Sequence, residues 1–339
     1  MDQQQAPARR RVGLVGAGGI SGAHLPYWLS INAQIFVYST EHAERLVANN
    51  PEADVTIVNS LEELLDQVDI VDIMTPTPDH YAPTKAALAA GKKVVCEKPL
   101  TRHTGQAKEL LELAEPGQLY PAHVVRYFPQ YAHAKRIIDE GTLGELGVLR
   151  FTRRGSYPTR DWYADPERSG GIVMDQMIHD LDQAYWLAGP VERLYAVNRV
   201  LTDPEKIETC HVVMHHTNGA VSHCRGLWGN QRTVFGYSYD IYGTEGRLRF
   251  DTDDSAQVRL DDALKAKLAA EKPDKGFLPS TSAFDSPYST ELAAYVAAFD
   301  GGELPRVSAE DGLMAVALCE AATASIESGA PIVMKEFLA

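Results

Sequence analysis

Val12-Gly13-Leu14-Val15-Gly16-Ala17-Gly18-Gly19-Ile20-Ser21-Gly22 carries an apolar strand through a glycine-rich loop into a helix. In such a turn Gly16 supplies the tight reversal and Gly18 lets the backbone approach a pyrophosphate. The helix N-terminus adds free N–H groups and the positive end of its dipole. The third glycine position of G-x-G-x-x-G holds Ser21, which is still small enough for close helix–strand packing. The motif alone is weak. Strand, loop, helix and a second strand in order are the context it requires. The reading is a dinucleotide cradle over Gly16, Ala17, Gly18, Gly19 and Ile20; the bland alternative is a tight turn without a ligand.

Outward from this loop, strand and helix signals alternate. Strands are expected at 12–15, 34–38, 54–57, 70–74, 93–96 and 119–125, and helices at 20–29, 41–49, 60–65, 84–90 and 101–114. Ser60 three residues before Glu63 has the form of a capping box. The alternation implies a parallel sheet with right-handed crossovers. After Arg126 the pattern changes. A helix over 130–140 ends at Gly141, and β-like runs follow at 146–157, 191–201, 208–216, 220–228, 235–242 and 247–251. Turn residues such as Thr217-Asn218-Gly219 separate consecutive runs, as in an antiparallel sheet. Residues 261–284 read as a polar surface excursion, and 291–299 and 310–328 as closing helices. The fold class is α/β: an N-terminal Rossmann doubly wound parallel sheet over 1–125, and a C-terminal α+β domain over 126–339 with a large, mainly antiparallel open sheet.

Composition narrows the function classes. The 339 residues are 45% hydrophobic and 23% charged, with a net charge of −14. An acidic chain repels phosphate backbones, so nucleic acid is an unfavourable partner. No apolar run approaches the roughly 20 residues of a membrane span. The N-terminal stretch lacks the apolar segment of a signal peptide, and Arg9-Arg10-Arg11 reads as a charged flank of the first strand. The four cysteines are far apart and form no C-x-x-C. These features fit a reduced, cytoplasmic protein. His211, His215 and His216 fall on one β run, and no cysteine or acid completes a persuasive site with them. In a strand His211 and His215 share a face and His216 points away, so no metal site is expected.

In dinucleotide folds an acid about 20 residues beyond the loop usually holds the adenosine ribose. Here the second strand ends in Val37-Tyr38-Ser39-Thr40, without that acid. Ser39, Thr40 and Arg45 are candidates for a 2′-phosphate, which tilts the choice between NAD and NADP toward NADP. The alternative is that Ser39 and Thr40 only cap the next helix.

Three further segments carry chemistry. Gly91-Lys92-Lys93-Val94-Val95-Cys96-Glu97-Lys98-Pro99-Leu100 ends a strand in an acid, a lysine and a proline. A doubly wound sheet binds its ligand at that strand end, although an isolated lysine there is usually a surface residue. Thr75-Pro76-Thr77-Pro78-Asp79-His80 follows the fourth strand. In Ser169-Gly170-Gly171-Ile172-Val173-Met174-Asp175-Gln176-Met177-Ile178-His179-Asp180, Asp175 and His179 are four apart and share a helix face; the bland readings are an N-cap and a core histidine.

Together these segments resemble the glucose-fructose oxidoreductase / inositol dehydrogenase / MocA (Gfo/Idh/MocA) family over most of the chain. Tyr242-Gly243-Thr244-Glu245-Gly246 and Glu310-Asp311-Gly312 add to the likeness. The chain departs from it in having Thr77 where many members have asparagine, and Gly-Gly-Ile at 170–172 in place of a frequent triple glycine. The resemblance implies hydride transfer between a nicotinamide and a sugar, cyclitol or related polyol or keto-sugar, in a homodimer or homotetramer joined through the C-terminal sheet.

Oxidising an alcohol needs a base for the hydroxyl proton, a role that suits His179. Lys98 suits stabilisation of developing alkoxide charge. Asp175 is expected to orient His179 or to hold a hydroxyl, and Glu97 to balance Lys98. Thr75, Pro76 and His80 are expected to line the nicotinamide side. Arg126, Tyr157, Trp162, Tyr163 and Asp180 are further substrate-contact candidates. Other readings are a redox-assisted glycosidase or lyase that keeps NAD tightly bound, and a dinucleotide-sensing regulator. A sensor has no need of a proton-transfer set.

Overall fold

The computed structural model describes residues 9–202, 206–253, 259–260 and 286–339. Their contacts group into two units: 9–101, 105–124 and 286–312 form the first, and the remaining described residues the second. A sequence-drawn boundary at 125/126 assigns 286–312 to the second domain, whereas the structure groups it with the first unit. The expected surface excursion at 261–284 lies outside the described residues.

In the first unit, β1 (Arg11–Val15), β2 (Gln34–Tyr38), β3 (Val55–Ile57), β4 (Ile70–Ile73), β5 (Lys93–Glu97) and β6 (Leu119–Ala122) form one sheet in the order β3-β2-β1-β4-β5-β6. Every pair is parallel. Val12, Leu14, Ile35, Val37, Val71, Ile73, Val94 and Val95 are completely buried. Such continuous apolar runs are what a sheet covered on both faces demands. Strand order reverses between β1 and β4, which creates the crevice where such sheets bind ligands.

The helices are α1 (Ser21–Ser30), α2 (Ala43–Ala48), α3 (Leu61–Gln67), α4 (Tyr81–Ala89), α5 (Thr104–Leu113), α6 (Pro129–Asp139), α7 (Asp161–Ala164), α8 (Pro166–Ser169), α9 (Ile178–Ala188), α10 (Pro287–Phe299), α11 (Ala309–Ser328) and α12 (Met334–Phe337). Helix α10 packs against α1 in the first unit. The Ser60 hydroxyl accepts from Glu63 N–H, as the capping motif predicts, but the Glu63 carboxylate reaches Asn59 N–H rather than Ser60. The sixth strand ends at Ala122, not 125, because a 3₁₀ turn takes over at Val124–Tyr127. Arg9, Arg10 and Arg11 pair with Asp54, Asp300 and Asp69, so the basic run is neutralised by the unit it enters.

The second unit holds β7 (Leu146–Ser156), β8 (Val191–Leu201), β9 (Ile207–His216), β10 (Val221–Gly229), β11 (Gly236–Gly243), β12 (Gly246–Asp251), β13 (Arg259–Leu260) and β14 (Ile332–Val333). Their order is β13-β12-β11-β7-β10-β9-β8-β14. All pairs are antiparallel except β7 with β10. The β9–β10 hairpin turns at Gly219, whose φ of +90° suits glycine. Alternation sends Leu149, Phe151, Val212, Met214 and Cys224 into the core and leaves Tyr195, Val197 and Val213 exposed on the opposite face. Among the described residues, no helix is long and apolar enough to cross a membrane.

Candidate active-site residues

The glycine loop has the geometry that its sequence requires. Gly16 sits at φ +100°, its N–H bound to Tyr38 O at 2.9 Å. A Cβ there would meet the Met74 carbonyl at 2.9 Å, so a side chain is excluded on two counts. At Gly18 a Cβ would meet nothing within 4 Å, which leaves the open approach that a pyrophosphate needs. Ser21 is buried and donates to Gly18 O at 2.7 Å, bracing the loop from the third position. No side chain caps α1, so its first N–H groups remain available to an anion. These features fit a dinucleotide.

At the end of β2, Ser39 caps no helix. Its hydroxyl accepts from Ala17 N–H at 3.0 Å and donates to Glu41 O, pinning the glycine loop to the neighbouring strand. Thr40 and Arg45 are exposed.

Across the switch point, β5 delivers Glu97, Lys98 and Pro99. Glu97 is buried, and its Oε2 accepts from Lys98 N–H at 2.9 Å. Burial pushes its carboxyl upward, but the His24 hydrogen bond and charge, with Lys98 and His80, outweigh that and hold it below the usual carboxylate range. His80 is 1% exposed, with Nδ1 2.7 Å from Pro99 O and Nε2 2.8 Å from Thr75 O. Burial holds it below the ordinary histidine value. His80 therefore joins the loops after β4 and β5 rather than facing a ligand, which corrects its expected role. Thr75 donates to Asp79 O, closing the same loop around Pro76.

The second unit places Asp175 in a π-helical turn, Val173–Met177, immediately before α9. The widened turn replaces the straight α-helical i, i+4 relation expected between Asp175 and His179. Such turns occur often at functional positions. Asp175 is 7% exposed and accepts from the Tyr163 hydroxyl. Burial and the Asp175 charge push the Tyr163 phenol far upward, so it stays a donor. An open cleft of about 390 Å³ is lined by Tyr157, Arg160, Trp162, Tyr163, Asp175 and Gln231, among others. Trp228 braces its aromatic wall edge-on at 5.3 Å from Tyr157 and 5.8 Å from Tyr163. His179 is half-buried on α9.

Two expected substrate contacts are structural instead. Arg126 is 1% exposed and bound to Asp182, and Asp180 is fully buried and bound to Arg153. Each carboxylate is engaged by both arms of a guanidinium, so neither Arg126 nor Asp180 is offered to the cleft. Sequence reading missed Arg160 and Gln231 of the cleft, Trp228 behind its aromatic wall, and His24 and Asp72 behind Glu97. Their lone residue types carried no spacing signal.

His211 and His223 approach at 3.3 Å on the exposed sheet face, whereas His216 is buried against Gly189 O and Ser222. Among the described residues no group of three His, Cys, Asp or Glu converges as a metal site would.

A model of the oxidoreductase family with an NAD-binding Rossmann fold matches residues 10–120, and the Gfo/Idh/MocA C-terminal domain model matches 131–249. The myo-inositol 2-dehydrogenase of Thermotoga maritima is 29% identical over 97% of this chain and 99% of its own. The D-xylose 1-dehydrogenase (NADP(+)) 2 of Haloferax volcanii is 27% identical over 87% and 93%. A levoglucosan dehydrogenase solved with NADH superposes with a TM-score of 0.80 over 96% of this chain and 99% of that one; at 19% identity it supports the fold alone.

Proposed function

Given that the chain belongs to the Gfo/Idh/MocA family of oxidoreductases, we propose that it transfers a hydride between a nicotinamide dinucleotide and a CH–OH carbon of a sugar, cyclitol or related polyol. The observation that carries this reading is the lysine at the carboxyl end of β5, on the sheet edge that also bears the glycine loop. The inositol and xylose dehydrogenases among its relatives support the polyhydroxylated class. The bound nicotinamide supplies the hydride acceptor or donor.

This chain's residues do the rest. The α1 N-terminus and the open approach at Gly18 hold the pyrophosphate. In the oxidising direction a ring nitrogen of His179 takes the hydroxyl proton, while Lys98 Nζ stabilises negative charge developing on that oxygen. Asp175, itself held by Tyr163, orients His179 or binds a neighbouring hydroxyl. Tyr157 and Trp162 offer apolar ring surface to a sugar face. The absence of a carboxylate ending β2 favours NADP, whose 2′-phosphate Ser39, Thr40 and Arg45 would hold; a tenfold preference for NADH in kcat/KM would refute that choice. The exposed Tyr195, Val197 and Val213 support a homodimer or homotetramer through the second sheet, and four buried free cysteines support a reducing cytoplasm.

A panel of inositols, aldoses and keto-sugars with both cofactors, followed by absorbance of the reduced nicotinamide, identifies the substrate. With it, Lys98→Met and His179→Ala each lower kcat by roughly a hundredfold or more and leave dinucleotide affinity nearly intact. Near-normal turnover in both variants refutes the assignment.

A further inference from the structure

His24 on α1 is completely buried, and both faces of its imidazole edge meet carboxylates. Nδ1 lies 3.1 and 3.0 Å from the two oxygens of Asp72, and Nε2 lies 3.1 Å from Glu97 Oε1. Glu97 is held below the usual carboxylate range, so it offers acceptors only. Asp72 Oδ2 already accepts from Trp28 Nε1 at 2.7 Å, and Glu97 Oε2 accepts from the backbone N–H of Lys98. A neutral imidazole would turn a lone pair toward one of them. A ring carrying two N–H groups donates to both.

We propose that His24 is the positioning residue for Lys98: by donating one ring N–H to Asp72 and the other to Glu97, it fixes the carboxylate that holds the Lys98 backbone. This assignment rests on the reading of Lys98 as the group that stabilises charge on the substrate oxygen. The chain of contacts runs from β4 through α1 to the end of β5, so the lysine's backbone is held by a buried ionic frame. A displaced backbone at Lys98 would carry its ammonium away from the reacting oxygen.

The other groups facing this frame reinforce its charge state. Trp28, on α1 itself, donates to Asp72. On β5, Lys98 follows Glu97, and His80 lies close enough to Glu97 to act on its charge. From α10 come Tyr288, its ring 5.8 Å from that of His24, and the fully buried Glu291. Glu291 Oε1 lies 3.0 Å from the Tyr295 hydroxyl, which is 2.7 Å from Pro121 O. One phenolic proton cannot serve both oxygens, so the Glu291 carboxyl supplies its own. Burial raises the Glu291 carboxyl well above its ordinary range, which agrees. His24 thus faces the Asp72 and Glu97 carboxylates, with the neutral Glu291 acid beyond them. Burial alone would lower its pKa, but the Asp72 and Glu97 carboxylates outweigh that and raise it well above the usual histidine value.

The test compares His24→Gln and Asp72→Asn with Lys98→Met. Glutamine keeps one donor but cannot bridge both carboxylates. The expected result is a fall in kcat of roughly tenfold or more, the scale set by ångström misplacement of a reacting group. The pH profile of kcat shifts, and dinucleotide affinity stays within about threefold, because the glycine loop is untouched. Folded His24→Gln with wild-type kcat and pH profile, beside a hundredfold loss in Lys98→Met, overturns the positioning role. Full activity in Lys98→Met would instead refute the reading of the lysine. A second measurement needs no variant: ¹⁵N spectra of the wild-type imidazole at about pH 8. Two protonated nitrogens at His24 support the frame, and one unprotonated nitrogen overturns it.

Discussion

Arg126 grips Asp182 with both arms of its guanidinium, Nη2 to Oδ1 at 2.6 Å and Nε to Oδ2 at 3.0 Å, and neither side chain is more than 2% exposed. The guanidinium also lies over the Trp186 ring at 5.3 Å. Removing one member of such a pair strands the other charge in the core, which costs about 3–5 kcal/mol. Arg126→Met is therefore expected to lose that much in denaturant unfolding while KM per folded molecule stays unchanged. An unaltered midpoint with a raised KM would return Arg126 to the substrate contacts.

Tyr163 and Asp175 make a different prediction, because their hydrogen bond lines a cleft. A hydrogen bond to a charged group contributes about 1.5–3 kcal/mol. Tyr163→Phe keeps the aromatic wall and removes only the donor. The expected outcome is a kcat/KM lowered by roughly tenfold or more, together with a stability loss of about 1–3 kcal/mol because the buried Asp175 loses a donor. Unchanged steady-state kinetics in the folded variant would take the Tyr163 hydroxyl out of the reaction.

The contrast between these two pairs shows what was legible in the sequence. The parallel sheet was legible because buried strands leave short apolar runs between helical periods, and β2 at Gln34–Tyr38 stands where the pattern puts it; in the second sheet the longer β8 at Val191–Leu201 does so too. Gly16 and Gly18 were legible because their order along the chain is itself the turn chemistry. Arg126 and Asp180 misled because a polar residue near a site has no sequence mark telling a buried ion pair from a ligand contact. Asp175 lay in the expected segment, but a one-residue widening of a helix is invisible to periodicity. The return of α10 to the first unit depends on packing against α1, a long-range contact without local signature. β14 and α12 were too short to register.

The pH dependence of stability follows from the ionic frame behind Lys98. A histidine whose folded pKa is raised contributes stability that is fully present below about pH 6.5 and is lost as pH rises through the folded value. Above about pH 6.5 the unfolded chain has released a proton that the folded chain keeps, so this group's contribution declines by up to about 1.4 kcal/mol per pH unit. Glu97 works in the opposite direction: its folded pKa is depressed, so its contribution is present above about pH 4.3 and lost as pH falls through the lower folded value. The stability gap between wild type and His24→Gln is thus expected to narrow as pH rises above about pH 6.5 toward the raised folded value. A gap that widens over that range would show that the folded histidine is the less basic form.

The glycine loop separates folding from cofactor binding. At Gly16 an alanine is strained by φ +100° and by the Met74 carbonyl at 2.9 Å, and the backbone there cannot swing aside as a flexible side chain would. Gly16→Ala should therefore lose stability by about 1–3 kcal/mol, the range for a residue held in unfavourable backbone geometry, and should bind dinucleotide poorly as well. Gly18→Ala meets no atom of the chain within 4 Å, so its thermal midpoint should stay near wild type. Its new methyl group instead occupies the approach of the pyrophosphate, and dinucleotide affinity should fall by roughly tenfold or more, a loss of about 1.4 kcal/mol. Calorimetric unfolding and fluorescence titration of the two variants check both halves. A Gly18→Ala protein that binds dinucleotide as wild type does would mean that the pyrophosphate does not approach the loop at that residue.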